Sequence, residues 1–165
     1  MNTRPLLAFL LLIFAIGPLS GAEEPVLTIR SAGKTHRWTA AEFAALPRIE
    51  LTVPAQTDKP ERRFSGVAMR ELLARAGAPL GEKIHGSGLM TGVIVRCKDR
   101  YTVMFALAEF DENFSNRTIL LADRENGELL PPSAAPFRIV TPGDKKGARS
   151  CRQVVSIEIV TLDKN

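Results

Sequence analysis

Apolar and polar residues alternate with a period of two in several short runs, the pattern of half-buried strands. "VLTIR" (Val26 to Arg30) and "IELTV" (Ile49 to Val53) show it most plainly, and "THRW" returns as a strand after the turn Ser31-Ala32-Gly33-Lys34. Farther on, "GVIVRC" reads as a buried strand, and "YTVMFAL" follows it across the charged turn Lys98-Asp99-Arg100. "TILLAD" (118–123), "PFRIVTP" (136–142) and "VVSIEIVTL" (154–162) complete the set, with Asn126-Gly127 marking a turn in "RENGE". Two stretches follow a helical period instead. Thr39, with Glu42 three residues on, predicts a capping box for a short helix that ends before Pro47. Met69, Leu72, Leu73 and Ala76 share one face of a second helix, which stops at Gly77 and is predicted to be capped by Ser65 or Gly66. "LAEFDENF" predicts a further helical turn. These helices do not alternate regularly with the strands, which disfavours a doubly wound parallel sheet. The expected fold class is α+β: a single mixed, strand-rich domain with a few short helices.

The first residues obey a different rule. Arg4 precedes an apolar run from Leu6 to Ile16, and small residues follow at Ser20 and Ala22. That is the pattern of a secretory signal peptide over residues 1–22, with a domain over 23–165. The run is too short for a spanning helix, which needs about 20 apolar residues. The expected location is therefore periplasmic or secreted, with no stable membrane insertion once the leader is removed. Cleavage would take Arg4 from a net charge of +4. The remainder is mildly basic, without the Lys/Arg blocks of a nucleic-acid binder, so nucleic acid is not an expected partner.

Export changes the meaning of the two cysteines, Cys97 and Cys151. An even count in an exported chain predicts a disulfide, worth about 4 kcal/mol on the chain-entropy account. The alternative is two buried, unpaired thiols. Arg96 and Lys98 would lower the pKa of an exposed Cys97, but its strand register with Val95 predicts burial. Neither His36 nor His85 stands at metal-ligand spacing from a cysteine, so no metal site is expected. No Gly-x-Ser-x-Gly elbow is present, and neither histidine sits beside a plausible nucleophile.

The ordered set of motifs carries more than any one of them. Phe64-Ser65-Gly66-Val67 leads into "MRELLARAG"; an Asp-x-Tyr turn follows in "VRCKDRYTVMFALAEF". Then comes "ILLADRENGELLPPSAAPFRIVTPGDKKGARSCRQVVSIEIV". In this order and spacing the chain resembles the molybdopterin-binding domain of the sulfite-oxidase-like oxidoreductases, and looks most like their small, secreted, stand-alone members. The resemblance implies a mixed α+β fold with a groove for a molybdenum-pterin cofactor, whose metal is held by a protein thiolate. It places that thiolate after a strand and shortly before the aromatic-x-Gly entrance. The equivalent stretch here, Leu51 to Arg63, contains no Cys; its hydroxyls, including Thr57 and nearby Ser65, are poor substitutes for a soft thiolate.

The resemblance also implies that the basic loop meets the pterin phosphate. Here Lys145, Lys146, Arg149 and Arg152 surround Gly147, and glycine lets backbone N–H groups approach an anion while the side chains supply charge. An ordinary solvated turn is the alternative. Where the family often reads Lys-Ser-x-Lys-Trp, this chain reads Arg149-Ser150-Cys151-Arg152-Gln153. Arg138 faces either the groove or solvent from an alternating strand. Tyr101 either orients a ligand through its hydroxyl or is a half-buried strand residue, and Trp38 reads as core. The expectation is an exported, catalytically degenerate domain that binds a pterin-like or other anionic ligand, or a protein partner. Two alternatives stay open. One is an active molybdopterin-dependent oxidoreductase with a non-standard metal ligand; the other is an interaction module with a filled groove.

Overall fold

The computed structural model describes residues 24, 26–54 and 60–162. The leader expected over 1–22 and Thr57 lie outside the described residues. Strands run β1 Leu27–Ser31, β2 Lys34–Trp38, β3 Ile49–Val53, β4 Arg62–Ala68, β5 Thr91–Cys97, β6 Thr102–Ala106, β7 Leu120–Glu125, β8 Glu128–Leu129, β9 Arg138–Val140 and β10 Val154–Thr161. The helices are short: α1 Ala40–Ala44 and α2 Met69–Arg75. The fold is thus α+β, with strands dominant, as the alternation predicts.

The strands form two sheets, ordered β2-β1-β10-β5-β6 and β3-β4-β7-β8, with β9 also pairing with β7. In the first, β1 and β10 are parallel and every other pairing is antiparallel. Strand alternation puts Leu27, Ile29, Val93, Val95, Val103, Phe105 and Ile157 on one face, where they are buried. The same core takes Val67, Leu121 and Ile139 from the second sheet and Phe43, Met69, Leu72 and Leu73 from the helices. The second sheet also has a worked outer face. Phe64, Leu120, Ala122 and Val140 form a separate apolar cluster there, flanked by Ile49, Leu51 and Val53.

Local signals account for α1. The Thr39 hydroxyl accepts the Glu42 N–H at 3.2 Å, and the Glu42 carboxylate accepts the Thr39 N–H at 2.9 Å. They do not account for the entrance to α2. Ser65 and Gly66 do not cap it; they belong to β4, and Ala68 stands at the cap without a side-chain hydrogen bond. The reason is tertiary. Gly66 crosses β7 opposite Ala122 beside a register shift, so close that a Cβ there would lie 2.1 Å from the Leu121 carbonyl oxygen. Bare backbone lets the sheet pack at this row, and β4 takes the residues that helical capping would need.

The loop between β9 and β10 is fixed by charge. Arg149 donates to Asp144 through Nε and one terminal nitrogen, both at 2.9 Å, and to Glu109 at 2.7 Å. Arg117 bonds the same two carboxylates at 2.8 and 3.2 Å. The Arg149 bonds are the first cause holding the Asp144 carboxyl below its ordinary pKa; they outweigh desolvation, and the Arg117 and Thr141 bonds add to them. Tyr101 closes the loop from the other side by donating its hydroxyl to the Ala148 carbonyl at 3.0 Å.

Three substitutions test this framework. Gly66→Ala should lower stability by about 3 kcal/mol, read as a shifted denaturant midpoint at unchanged slope, because backbone must move. Gly147→Ala, with no atom within 4 Å of the added Cβ, should stay within about 0.5 kcal/mol. Asp144→Asn should cost about 2 kcal/mol at neutral pH. Because the folded pKa of Asp144 lies below its unfolded value, its stabilisation is present above about pH 4 and lost as pH falls through the folded value. A thermal melting series should therefore show the wild type losing more stability than Asp144→Asn below about pH 4; parallel acid profiles would contradict the assignment.

Candidate functional site

The outer face of the second sheet carries a cavity of about 370 Å³. Pairing of β4, β7 and β9 builds its floor. Gly66, Ala122 and Arg138 stand in one row across the three strands. Two small residues beside Arg138 leave room for its side chain on the face that also carries Phe64. Arg62 shares that face, two residues before Phe64. Both guanidinium carbons lie over the Phe64 ring, Arg138 at 5.0 Å and Arg62 at 5.1 Å from its centre. Arg152 enters from the segment before β10. Thr141 and Ser150 add hydroxyls, while Val53, Pro54, Pro60 and Val140 supply an apolar wall.

The three arginines differ in what balances them. Arg62 bonds Glu125 at 3.3 Å. Arg152 is exposed and makes no ion pair among the described residues. Arg138 is 8% exposed, and its buried Nε has no hydrogen-bond partner among the described residues. Burial is the first cause pushing its pKa down, and the charges of Arg62 and Arg152 push the same way. A guanidinium nonetheless stays protonated in proteins, so the pocket holds a buried cation that no carboxylate among the described residues hydrogen-bonds, with Glu125 acting on it through its charge alone. The nearest acid on the lining, Asp144, is committed to Arg117 and Arg149.

The residues expected at the site divide accordingly. Arg138 and Arg152 line the cavity together. Lys145 and Lys146 are exposed and are not among its lining residues. Arg149 is spent on Asp144 and Glu109, with its guanidinium 4.9 Å from the centre of the Phe105 ring. Tyr101 positions the loop through Ala148 rather than lining the cavity. Arg62 was not expected. Reading "RRFSG" as a strand rather than a helix entrance would have placed Arg62 and Phe64 on one face. Trp38 is half-buried at the edge of the main core and stacks on His36 at 5.9 Å.

The expected Cys97–Cys151 disulfide is not formed in the structure: both cysteines are free and buried. Cys97 ends β5 opposite Val154, whereas the Cys151 carbonyl is tied to β9 by the Ile139 N–H at 2.9 Å. Both side chains lie in the main core with no covalent bond between them. Burial is the main cause raising both thiol pKa values, against the activation that Arg96 and Lys98 would give an exposed Cys97. Ser150 and Arg152 line the cavity and Cys151 between them does not. No group of three His, Cys, Asp or Glu side chains suited to a metal exists among the described residues. The donors at the cavity therefore fit an anion and do not fit a soft metal that needs a thiolate. No helix among the described residues is long and apolar enough to cross a membrane.

Comparison with solved structures finds the same fold in the sulfane dehydrogenase SoxCD from Paracoccus pantotrophus. The TM-score is 0.62 at 20% identity, covering 81% of this chain and 37% of that one. This chain thus spans little more than a third of the length of that match. A search of curated proteins finds no match. The family described as "Oxidoreductase molybdopterin binding domain" matches residues 22–165. Its match takes in both sheets and the arginine-lined cavity, and the chain belongs to this family of molybdopterin-binding oxidoreductase domains.

Proposed function

We propose that the protein is an exported anion-binding domain on the molybdopterin-binding fold, one that has given up oxygen-atom transfer at molybdenum. The observation that carries the reading is Arg138, a buried guanidinium whose Nε lacks a partner among the described residues, beside Arg62 and Arg152. A buried charge without a counter-ion is costly, and a bound anion removes that cost. Arg138 and Arg152 would hold the charged group. Phe64, Val140 and the prolines would face an uncharged body. A pterin-like phosphate ester has this shape, as do other small molecules with one anionic end; an acidic side chain of a partner protein is the macromolecular version. The reading leaves molybdenum out because no cysteine occurs from Leu51 to Arg63 and neither thiol lines the cavity. A filled groove is disfavoured, since the described residues leave about 370 Å³ open. Export rests on the leader pattern of residues 1–22 and the periplasm is the proposed site of action.

Arg138→Met separates a ligand-binding role from a structural one. Calorimetric titration with inorganic phosphate should show affinity reduced about tenfold or more, the worth of a charge-assisted hydrogen bond. In anion-free buffer the same variant should melt no lower than wild type, and up to about 1 kcal/mol more stably, because a buried charge without a hydrogen-bonded counter-ion among the described residues has been replaced by an apolar side chain. Unchanged phosphate binding with lowered stability would overturn the reading. Protein purified from its native compartment should hold far less than stoichiometric molybdenum; a full equivalent would restore the enzymatic alternative.

A further inference from the structure

The segment 150–152 is the wall between the cavity and the main core. Ser150 and Arg152 line the cavity, while the Cys151 side chain between them is buried in the core with Cys97. The wall is fastened on both sides. The Ser150 hydroxyl meets that of Thr141 at 2.7 Å and accepts the Thr141 N–H at 3.2 Å. The Cys151 carbonyl accepts the Ile139 N–H, one residue from Arg138. Beyond it, the Gln153 carbonyl accepts the Lys98 N–H at 2.9 Å, next to Cys97. Any displacement of Cys151 toward β5 is therefore felt by two cavity residues directly and by Arg138 through its neighbour.

We propose that Cys97 and Cys151 are a thiol–disulfide pair whose oxidation state sets how Ser150 and Arg152 are presented to an anion in the cavity. The proposal concerns regulation of the anion site and rests on that reading of it. The oxidant is a small or protein disulfide, R–S–S–R. One cysteine thiolate attacks it, forming a mixed disulfide and releasing one thiolate. The second cysteine thiolate then attacks the protein sulfur of that mixed disulfide, closing Cys97–Cys151 and releasing the other. Two electrons pass from the protein dithiol to the oxidant, and the two cysteine protons end on the two released thiols. Burial keeps both cysteines protonated in the closed fold, so exchange takes place as the chain folds or when the wall segment opens. Closure joins two separate buried thiols by a covalent bond and draws Cys151 toward β5, loosening the Ser150–Thr141 pair and re-aiming Arg152.

The test compares the purified protein after refolding with oxidised and with reduced glutathione. Peptide mapping should find Cys97 linked to Cys151 in the first sample only. Amide hydrogen exchange over residues 139–153 should differ between the two, and affinity for inorganic phosphate should change about fivefold or more. Cys97→Ala, with Cys151→Ala as the second variant if the first fails to fold, should show one exchange pattern and one affinity under both conditions. Absence of the linked peptide overturns the proposal, and so does a linked peptide with unchanged exchange and affinity. If phosphate binds neither form, the anion reading fails, and hydrogen exchange alone decides whether the thiols control the wall.

Discussion

A buried guanidinium that bonds no carboxylate among the described residues is the constraint around which this face of the protein is arranged. Arg138 sits on β9 in a row with Gly66 and Ala122, whose small side chains give it room. The Phe64 ring beneath it returns part of the lost hydration through its electron-rich face. Glu125, whose charge acts on Arg138, is engaged with Arg62, and Asp144 on the cavity lining is engaged with Arg117 and Arg149. Replacing any of these engagements would offer Arg138 an internal partner and close the site to an external one. The pattern of satisfied arginines is thus part of what keeps the unsatisfied one available.

Arginines within the same basic loop serve opposite purposes. Arg149 is bound by two carboxylates and raised further above its ordinary pKa by them, so it works as a brace for the loop. Arg152, three residues on, carries no such partner among the described residues and lines the cavity. Lys145 and Lys146 stay in solvent. The loop's density of positive charge, evident in the sequence, is therefore divided among bracing, solvation and ligand approach. Only the tertiary position of Asp144 and Glu109 decides which residue does which.

That division marks how far the sequence could be read. Strands β1, β3 and β10 follow from alternation alone, and α1 follows from Thr39 and Glu42, because each signal lies within a few residues of the element it specifies. The strand character of β4 was hidden. Gly66 interrupts the alternation, and its presence answers to Leu121, far along the chain. The same blind spot concealed Arg62, which meets Arg138 only through the β4–β7–β9 pairing. The motif order did reach the family and the α+β fold, since it samples the whole chain. Arg138 and Arg152 were legible as candidates; which way Arg138 faces was not, because a three-residue strand can present it to either side. The cysteines show the reverse difficulty: count and compartment predicted a bond, while the fold holds both thiols free and buried.

The central claim is that Arg138 waits for an anion from outside the chain. A crystal of the protein soaked in selenate tests it most directly, since selenium scatters anomalously and mimics a small oxyanion. The account predicts an anomalous peak at the cavity, its oxygens within hydrogen-bond reach of the Arg138 guanidinium between Arg62 and Arg152. An Arg138 bonded to a carboxylate of its own chain, with no selenium at the cavity, would contradict it.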